Sequence, residues 1–176
     1  MQKQSRGGWL SVLIVAILFQ GVTAQSVRAG GGTDALLLSC MDYRLIGKTH
    51  AFLDGIGLHG RYDHVILAGA SLGATAEQFP AWQTTFMEHL DIAIQLHGIH
   101  KVVLLDHRDC GAYKVVYNED FSVNPEREFE IHRNHLAELK ERIGEKYPEL
   151  EVKMLLIDLD GAVEEIALAH SSTVDE

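Results

Sequence analysis

The sequence contains few cysteines, few prolines and few basic residues. Two cysteines among 176 residues are too few for a disulfide-stapled scaffold, and three prolines with 16 glycines exclude a collagen-like or low-complexity chain. Fifteen Lys and Arg residues stand against 25 Asp and Glu residues, for a formal net charge of −10. Such a chain repels phosphate backbones, so we expect no nucleic-acid partner. Because 47% of the residues are hydrophobic, disorder is excluded as the main state.

The N-terminal apolar run is too short to cross a bilayer, which takes about 20 apolar residues. Residues 1–24 combine a basic start, an apolar segment from Trp9 to Phe19 and small residues at the end. This layout is typical of a signal peptide, with an uncleaved anchor as the alternative. We expect residues 25–33 to be a flexible leader and residues 170–176 a polar tail. The expected location is periplasmic or secreted, with no stable membrane association after cleavage.

Four short apolar runs alternate with helical patterns in residues 34–169, which we expect to form one domain. The runs lack polar alternation, which is typical of strands buried on both faces of a parallel sheet. They cover residues 35–39, 64–69, 101–106 and 151–158. Apolar residues at helical spacing predict helices over 77–97 and 124–146. The predicted fold is α/β, a single domain with a mostly parallel four-stranded sheet flanked by helices.

Both cysteines and one histidine directly follow predicted strands. Cys40 comes after the first strand, and His107 and Cys110 come after the third. The carboxyl ends of parallel strands form the ligand-binding edge of an open α/β sheet. If these two strands are neighbours, two thiolates and one imidazole meet there, and catalytic zinc commonly uses three protein ligands. The alternatives are a Cys40–Cys110 disulfide and a Cys110 that is simply a buried apolar residue.

Asp42 and Arg44 alternate with Cys40 along the chain. In an extended segment all three side chains would point to the same side. A bidentate pair with Arg44 would keep the Asp42 carboxylate ionised and oriented. That carboxylate could accept a hydrogen bond from a zinc-bound hydroxide, or bind the metal as a fourth ligand. Without the cysteines, a structural ion pair would be the simplest interpretation.

The combined pattern resembles the signature of β-class carbonic anhydrases. Its parts are Cys-x-Asp-x-Arg at 40–44 and His-x-x-Cys-Gly at 107–111, and the resemblance covers roughly residues 35–113. It implies reversible hydration of carbon dioxide to bicarbonate by a zinc-bound hydroxide, in an enzyme that is usually a homodimer. The residues it implicates are the zinc ligands Cys40, His107 and Cys110 and the catalytic pair Asp42 and Arg44.

Departures from the family's pattern leave the substrate open. Members often carry an Asn-Ala-Gly turn after the second strand, where this chain reads Leu67-Ala68-Gly69. The alternatives are a zinc-binding protein without hydratase activity and an enzyme for another small substrate, such as carbon disulfide. Residues 69–73 also match the nucleophile elbow of serine esterases around Ser71, and Asp158 and His170 follow in the required order.

Four other polar residues have simpler interpretations. Asp109 precedes a helix, and we expect it to cap that helix, with a proton relay or a polar lining of the site as the alternatives. Glu128, His132 and His135 share one face of the second long helix. We expect that face to be solvated, with metal binding as the alternative.

Overall fold

The structure is a computed structural model that describes residues 32–167. The predicted signal peptide at 1–24, most of the predicted leader at 25–33 and the predicted tail at 170–176 lie outside the described residues. Within the described part, no helix combines the length and apolar character needed to cross a membrane.

A five-stranded, mostly parallel sheet forms the centre of the fold. Its strands are β1 (Ala35–Cys40), β2 (Tyr62–Leu67), β3 (Lys101–His107), β4 (Glu151–Ile157) and β5 (Val163–Glu165). They lie in the order β2-β1-β3-β4-β5, and only the pairing of β4 with β5 is antiparallel. The predicted α/β fold with a mostly parallel sheet is confirmed, whereas the predicted strand number of four is wrong. The fifth strand has three residues, two of them exposed glutamates, so it forms no apolar run.

Between residues 32 and 167, five α-helices pack around this sheet. They are α1 (Ile46–Gly55), α2 (Ser71–Thr75), α3 (Pro80–His97), α4 (Gly111–Tyr117) and α5 (Pro125–Lys146). The two long helices were predicted from the sequence, and each begins at a proline, whose missing N–H group has no partner in a first helical turn anyway. The side chain of Asn124 caps α5 by accepting a hydrogen bond from the Arg127 backbone N–H group.

Alternate residues of β1 belong to two hydrophobic clusters on opposite faces of the sheet. Leu36 and Leu38 pack with α3 and α5, whereas Ala35 and Leu37 pack with α1. Because both faces are covered, the strand reads as a continuous apolar run. Direct pairing of β1 with β3 brings the segments after these two strands to one edge of the sheet. The fold therefore places Cys40 beside the segment that follows β3.

Candidate metal centre

Cys40, His107 and Cys110 converge at this carboxyl edge of the sheet. Their ligand atoms all lie within 4.8 Å of one another. The two Sγ atoms are 3.9 Å apart and both cysteines are free, so the structure does not contain the disulfide. Two sulfurs bound to one tetrahedral zinc at about 2.3 Å lie about 3.8 Å from each other. The observed separation of the sulfurs therefore fits a shared Zn²⁺.

The His107 ring presents an unpartnered nitrogen. Its Nδ1 atom lies 2.8 Å from the backbone carbonyl oxygen of Arg108. A carbonyl oxygen only accepts hydrogen bonds, so Nδ1 carries a proton, and in the neutral ring Nε2 keeps the lone pair that can bind a metal. Nε2 is buried and has no hydrogen-bond partner among the described residues. Metal-binding histidines are held in the same way, through a hydrogen bond from the other ring nitrogen.

The two thiols differ in how readily they ionise. The hydrogen bond with Cys110 lowers the pKa of Cys40 to about 4, against the opposing effect of burial and with help from His107 and the Gly69 N–H group. That N–H group lies 3.3 Å from the Cys40 Sγ atom. The same Cys40–Cys110 hydrogen bond, together with burial, raises the pKa of Cys110. These shifts favour the thiolate form of Cys40 over that of Cys110, and the thiolate is the form that binds metals.

Asp42 and Arg44 form the predicted bidentate pair beside this cluster. Arg44 Nε lies 3.0 Å from Asp42 Oδ1, and Arg44 Nη2 lies 2.7 Å from Asp42 Oδ2. The hydrogen bonds from Arg44 lower the pKa of Asp42 to about 2. Asp42 Oδ2 lies 3.9 Å from His107 Nε2. The segment is not extended as predicted: residues 43–45 form a turn, and the Arg44 backbone N–H group also donates to Asp42.

A cavity of about 710 Å³ opens beside the cluster. Part of its wall is apolar and includes Phe79 and Trp82, whose stacked rings have centroids 4.2 Å apart. Met41, Tyr43 and Val115 also line it and are 65%, 82% and 81% exposed. The cavity therefore gives a small apolar molecule access to the cysteines and to the Asp42 carboxylate.

Comparison with known proteins identifies the family of the chain. Residues 31–167 match the model of a family described as "Putative carbonic anhydrase". The chain belongs to this carbonic anhydrase family. Uncharacterised proteins of Rickettsia bellii and Rickettsia conorii are each 36% identical to it. The first alignment spans 149 residues (85% of this chain and 91% of the relative), and the second spans 145 residues (82% and 78%).

Two solved structures of β-carbonic anhydrases have a similar fold. The beta-carbonic anhydrase isoform I of Trichomonas vaginalis has a TM-score of 0.51 and 17% identity, over 79% of this chain and 85% of that one. The β-carbonic anhydrase CafA of Aspergillus fumigatus has a TM-score of 0.51 and 18% identity, over 80% and 78%. At these identities the likeness shows the fold alone. The predicted β-carbonic-anhydrase-like fold is confirmed.

In this carbonic anhydrase family member, Asp109 contacts Arg44 and does not cap α4. Its carboxylate accepts hydrogen bonds from Arg44 at 2.8 Å and from Lys114 at 2.6 Å. Its backbone carbonyl accepts a further bond from Arg44 at 3.0 Å. The predicted cap is wrong, because the N-cap residue of α4 is Cys110 and makes no side-chain cap hydrogen bond. Arg44 is thus held by two carboxylates, and nothing local in the sequence indicates the second.

Ser71 does not have the exposed hydroxyl that a nucleophile elbow requires. It is fully buried, and its Oγ atom donates to the Asp106 carboxylate at 2.6 Å. Asp158 accepts hydrogen bonds from two backbone N–H groups of its own loop. The predicted third member of a serine triad, His170, lies outside the described residues. The geometry therefore gives Ser71 a structural contact with Asp106 and offers no support for an esterase.

Asp106 is the centre of a buried polar network behind the metal-binding loop. Its Oδ2 atom accepts hydrogen bonds from the Tyr113 hydroxyl at 2.6 Å and from His132 Nδ1 at 2.8 Å. Its Oδ1 atom accepts one from the Ser71 backbone N–H group at 3.0 Å. Burial raises the pKa of Asp106, but the hydrogen bonds from His132, Ser71 and Tyr113 lower it further than burial raises it. The carboxylate is therefore ionised and fully paired.

The predicted solvated face of α5 is in fact buried. Glu128 and His132 are 5% and 1% exposed. His135 is partly buried, with Nδ1 2.6 Å from Thr75 Oγ1 and Nε2 2.7 Å from the Tyr117 hydroxyl. The prediction was wrong because these polar side chains find buried partners far away in the sequence. Only knowledge of which helix packs behind the β3–α4 loop would have revealed them.

Proposed function

We propose that this chain is a carbonic anhydrase that reversibly hydrates carbon dioxide to bicarbonate, with Zn²⁺ bound by Cys40, His107 and Cys110. The observation that carries the proposal is the meeting of two sulfurs and an unpartnered imidazole nitrogen beside an ionised carboxylate. Membership in the family supports the type of reaction. The donor set supports the metal, because two thiolates and one neutral imidazole suit Zn²⁺ and leave a fourth position for water.

A bound Zn²⁺ would supply the Lewis acidity that makes a water molecule nucleophilic near neutral pH. Asp42 is ionised at that pH and would accept a hydrogen bond from the attacking oxygen, which directs a lone pair of that oxygen toward the substrate. Arg44 fixes the Asp42 carboxylate through hydrogen bonds that include those from Nε at 3.0 Å and from Nη2 at 2.7 Å. The apolar wall around Phe79 and Trp82 would admit carbon dioxide, which carries no charge. Each residue thus has one role that follows from its position.

The proposal extends to the assembly and the location of the enzyme. Met41, Tyr43 and Val115 expose apolar surface around the cavity, and a second copy of the chain covering them would remove that surface from water. We therefore propose a homodimer. The N-terminal pattern at residues 1–24 supports export, so the proposed location is periplasmic or secreted.

The test is stopped-flow hydration of carbon dioxide by the zinc-loaded chain, with zinc per chain measured on the same sample. We expect turnover at about pH 8 and loss of both zinc and turnover in Cys40→Ser and Cys110→Ser. We expect Asp42→Asn to keep zinc and lose most turnover, because the metal ligands remain but the orienting carboxylate does not. One bound zinc without hydration would contradict the hydratase and favour a zinc-binding protein or an enzyme for another small substrate, such as carbon disulfide.

A further inference from the structure

Two buried side chains of α5 hold the loop that carries two of the three candidate ligands. We call residues 106–110, the last two residues of β3 and the three that follow them, the ligand loop, because they include His107 and Cys110. At its start, the Asp106 carboxylate accepts a hydrogen bond from His132 Nδ1 at 2.8 Å. Near its end, the backbone N–H group of Asp109 donates to a Glu128 carboxylate oxygen at 2.6 Å. The loop is therefore fastened on both sides of its first ligand.

The two fastening residues lie one helical turn apart. Residues four positions apart on an α-helix occupy the same face, so Glu128 and His132 point toward the loop together. Both are almost fully buried, at 5% and 1% exposure, although a buried carboxylate or imidazole is costly unless it is paired. Their partners lie in the ligand loop: His132 Nδ1 pairs with Asp106, and Glu128 pairs with Arg108 and with the Asp109 N–H group, while His132 Nε2 has no partner among the described residues. The polar side chains on this face of α5 therefore form hydrogen bonds with the ligand loop.

The backbone of the ligand loop includes an unfavourable conformation that surrounding contacts must stabilise. Asp109 has a φ of 56°, in the left-handed region that residues other than glycine rarely adopt. Such a conformation costs energy and persists only where contacts with surrounding residues hold the backbone in place. Here the Asp109 N–H group is fixed by Glu128 and its carboxylate is fixed by Arg44 and Lys114. Loss of the Glu128 contact would allow the loop to relax and would change the separation of its two ligands.

We propose that Glu128 and His132 are positioning residues for the metal centre: by fixing both sides of the ligand loop they set the affinity and the coordination geometry of the metal without contacting it. This inference rests on the metal centre of the proposed function. It requires no hydration activity, so metal binding alone can test it. Residues that orient metal ligands typically contribute 10- to 100-fold in metal affinity.

The His132 contact is tested with two amide substitutions that place an N–H group differently. His132→Asn places a side-chain N–H group near the position of Nδ1, whereas His132→Gln places it near Nε2. Titration of the full chain with Co²⁺ reports affinity, and the absorption bands of the Co²⁺–thiolate complex report geometry. We expect His132→Gln to weaken Co²⁺ binding about 10- to 100-fold and to change the bands. His132→Asn should keep most of the affinity, because it retains the donor to Asp106.

The Glu128 contact is tested in the same titration. Glu128→Gln keeps an oxygen that can accept from the Asp109 N–H group, whereas Glu128→Ala removes the acceptor. We expect the alanine variant to lose about 10- to 100-fold in Co²⁺ affinity and the glutamine variant to retain most of it. A purely electrostatic effect of the Glu128 charge would instead weaken binding equally in both variants, which would overturn the positioning role.

Leu139→Ala is the matched control for general destabilisation of α5. Leu139 is 1% exposed and packs in the cluster under α3 and α5, about two helical turns beyond His132. We expect this variant to lower the thermal midpoint while leaving the Co²⁺ affinity and absorption bands unchanged. An equal loss of Co²⁺ affinity in Leu139→Ala would overturn the proposal, because destabilisation alone would then account for the effect.

The remaining outcomes separate this inference from the proposed function. Unchanged Co²⁺ binding in both His132→Gln and Glu128→Ala would overturn the positioning role and leave the metal centre intact. Absence of Co²⁺ binding by the unsubstituted chain would contradict the metal centre itself and the positioning role with it. Activity without metal binding would contradict both as well.

Discussion

Arg44 is held by two carboxylates that come from different parts of the chain. Asp42 lies two residues before it, whereas Asp109 belongs to the loop after β3 and is itself held by Lys114. The contact with Asp109 anchors the guanidinium group independently of Asp42. The Asp42 carboxylate is therefore held by a partner that is already fixed in place.

This arrangement predicts that Arg44→Ala lowers turnover more than zinc content. Without the hydrogen bonds of Arg44, the Asp42 carboxylate is free to move, and a displacement of about 1 Å at a reacting group can cost about 100-fold in rate. We expect a loss of that order in carbon dioxide hydration, measured by stopped flow, with zinc per chain nearly unchanged. Arg61→Ala is the control, because it removes another Arg–Asp pair, with Asp34 at 2.7 Å, at the start of β1. Turnover that is equal in Arg44→Ala and Arg61→Ala would contradict the role of Arg44.

Single residues were predictable where their signal is local. Cys40 and His107 stand directly after apolar runs, and parallel strands end at the same edge, so their meeting followed from position in the sequence. Glu128 and His132 gave no such signal. Their partners lie in another part of the chain, and a polar residue on a helix is usually solvated.

The short helix α2 is packed more tightly than its sequence indicates. A Cβ atom added at Gly73 would lie 2.8 Å from the Ala68 carbonyl oxygen and 3.0 Å from the Leu67 Cβ atom. All five residues of α2 are buried, and its first residue, Ser71, contacts Asp106. Glycine at this position thus lets α2 approach the end of β2 closely.

We predict opposite effects for two Gly→Ala substitutions within helices. Gly73→Ala should lower the free energy of unfolding by about 1–3 kcal/mol, because the added methyl group overpacks the contact with the end of β2. Gly144→Ala in α5 should raise it by about 0.5–1 kcal/mol, because nothing lies within 4 Å of the added Cβ atom and alanine favours the helix. Urea denaturation measures both values. A stabilising Gly73→Ala variant would show that α2 is not tightly packed.

Among the helices, the two longest were the ones predicted from the sequence. The helices α3 and α5 have 18 and 22 residues, enough for apolar positions to recur at helical spacing. By contrast, α2 has five residues that are all buried, and β5 has three residues, so neither shows a periodic pattern. Their positions depend on packing against the sheet and on pairing with β4.

Across the described residues, the order of the strands in the mostly parallel sheet determines where the site forms. The pairing of β1 with β3 brings Cys40 to the ligand loop. The sequence alone could not predict this pairing, because an apolar run does not indicate which strand it will lie beside. On the face of the sheet shared by α3 and α5, Lys146 of α5 lies 2.7 Å from Asp91 of α3, and the Tyr147 hydroxyl donates to the same carboxylate. This link connects the two long helices at the surface.

This link predicts a pH-dependent contribution to the stability of the fold. Partial burial raises the pKa of Asp91, but the hydrogen bonds from Lys146 and Tyr147 lower it below its ordinary value. A lowered folded-state pKa stabilises the protein above the unfolded-state pKa of about 4, and this contribution is lost as the pH falls through the folded-state pKa. Asp91→Asn should therefore lower the thermal midpoint by roughly 2–4 °C at neutral pH. The difference should close in acid, and a difference that stays constant from neutral pH to pH 3 would contradict the link.

The zinc centre is tested most directly by X-ray absorption at the zinc edge of the zinc-loaded full chain. The account predicts two sulfur ligands at about 2.3 Å and one imidazole nitrogen at about 2.0 Å, with a light atom in the fourth position. Replacing Cys40 by serine should remove a sulfur ligand or abolish binding. A shell made only of oxygen and nitrogen would contradict the assignment of Cys40, His107 and Cys110 as the metal ligands.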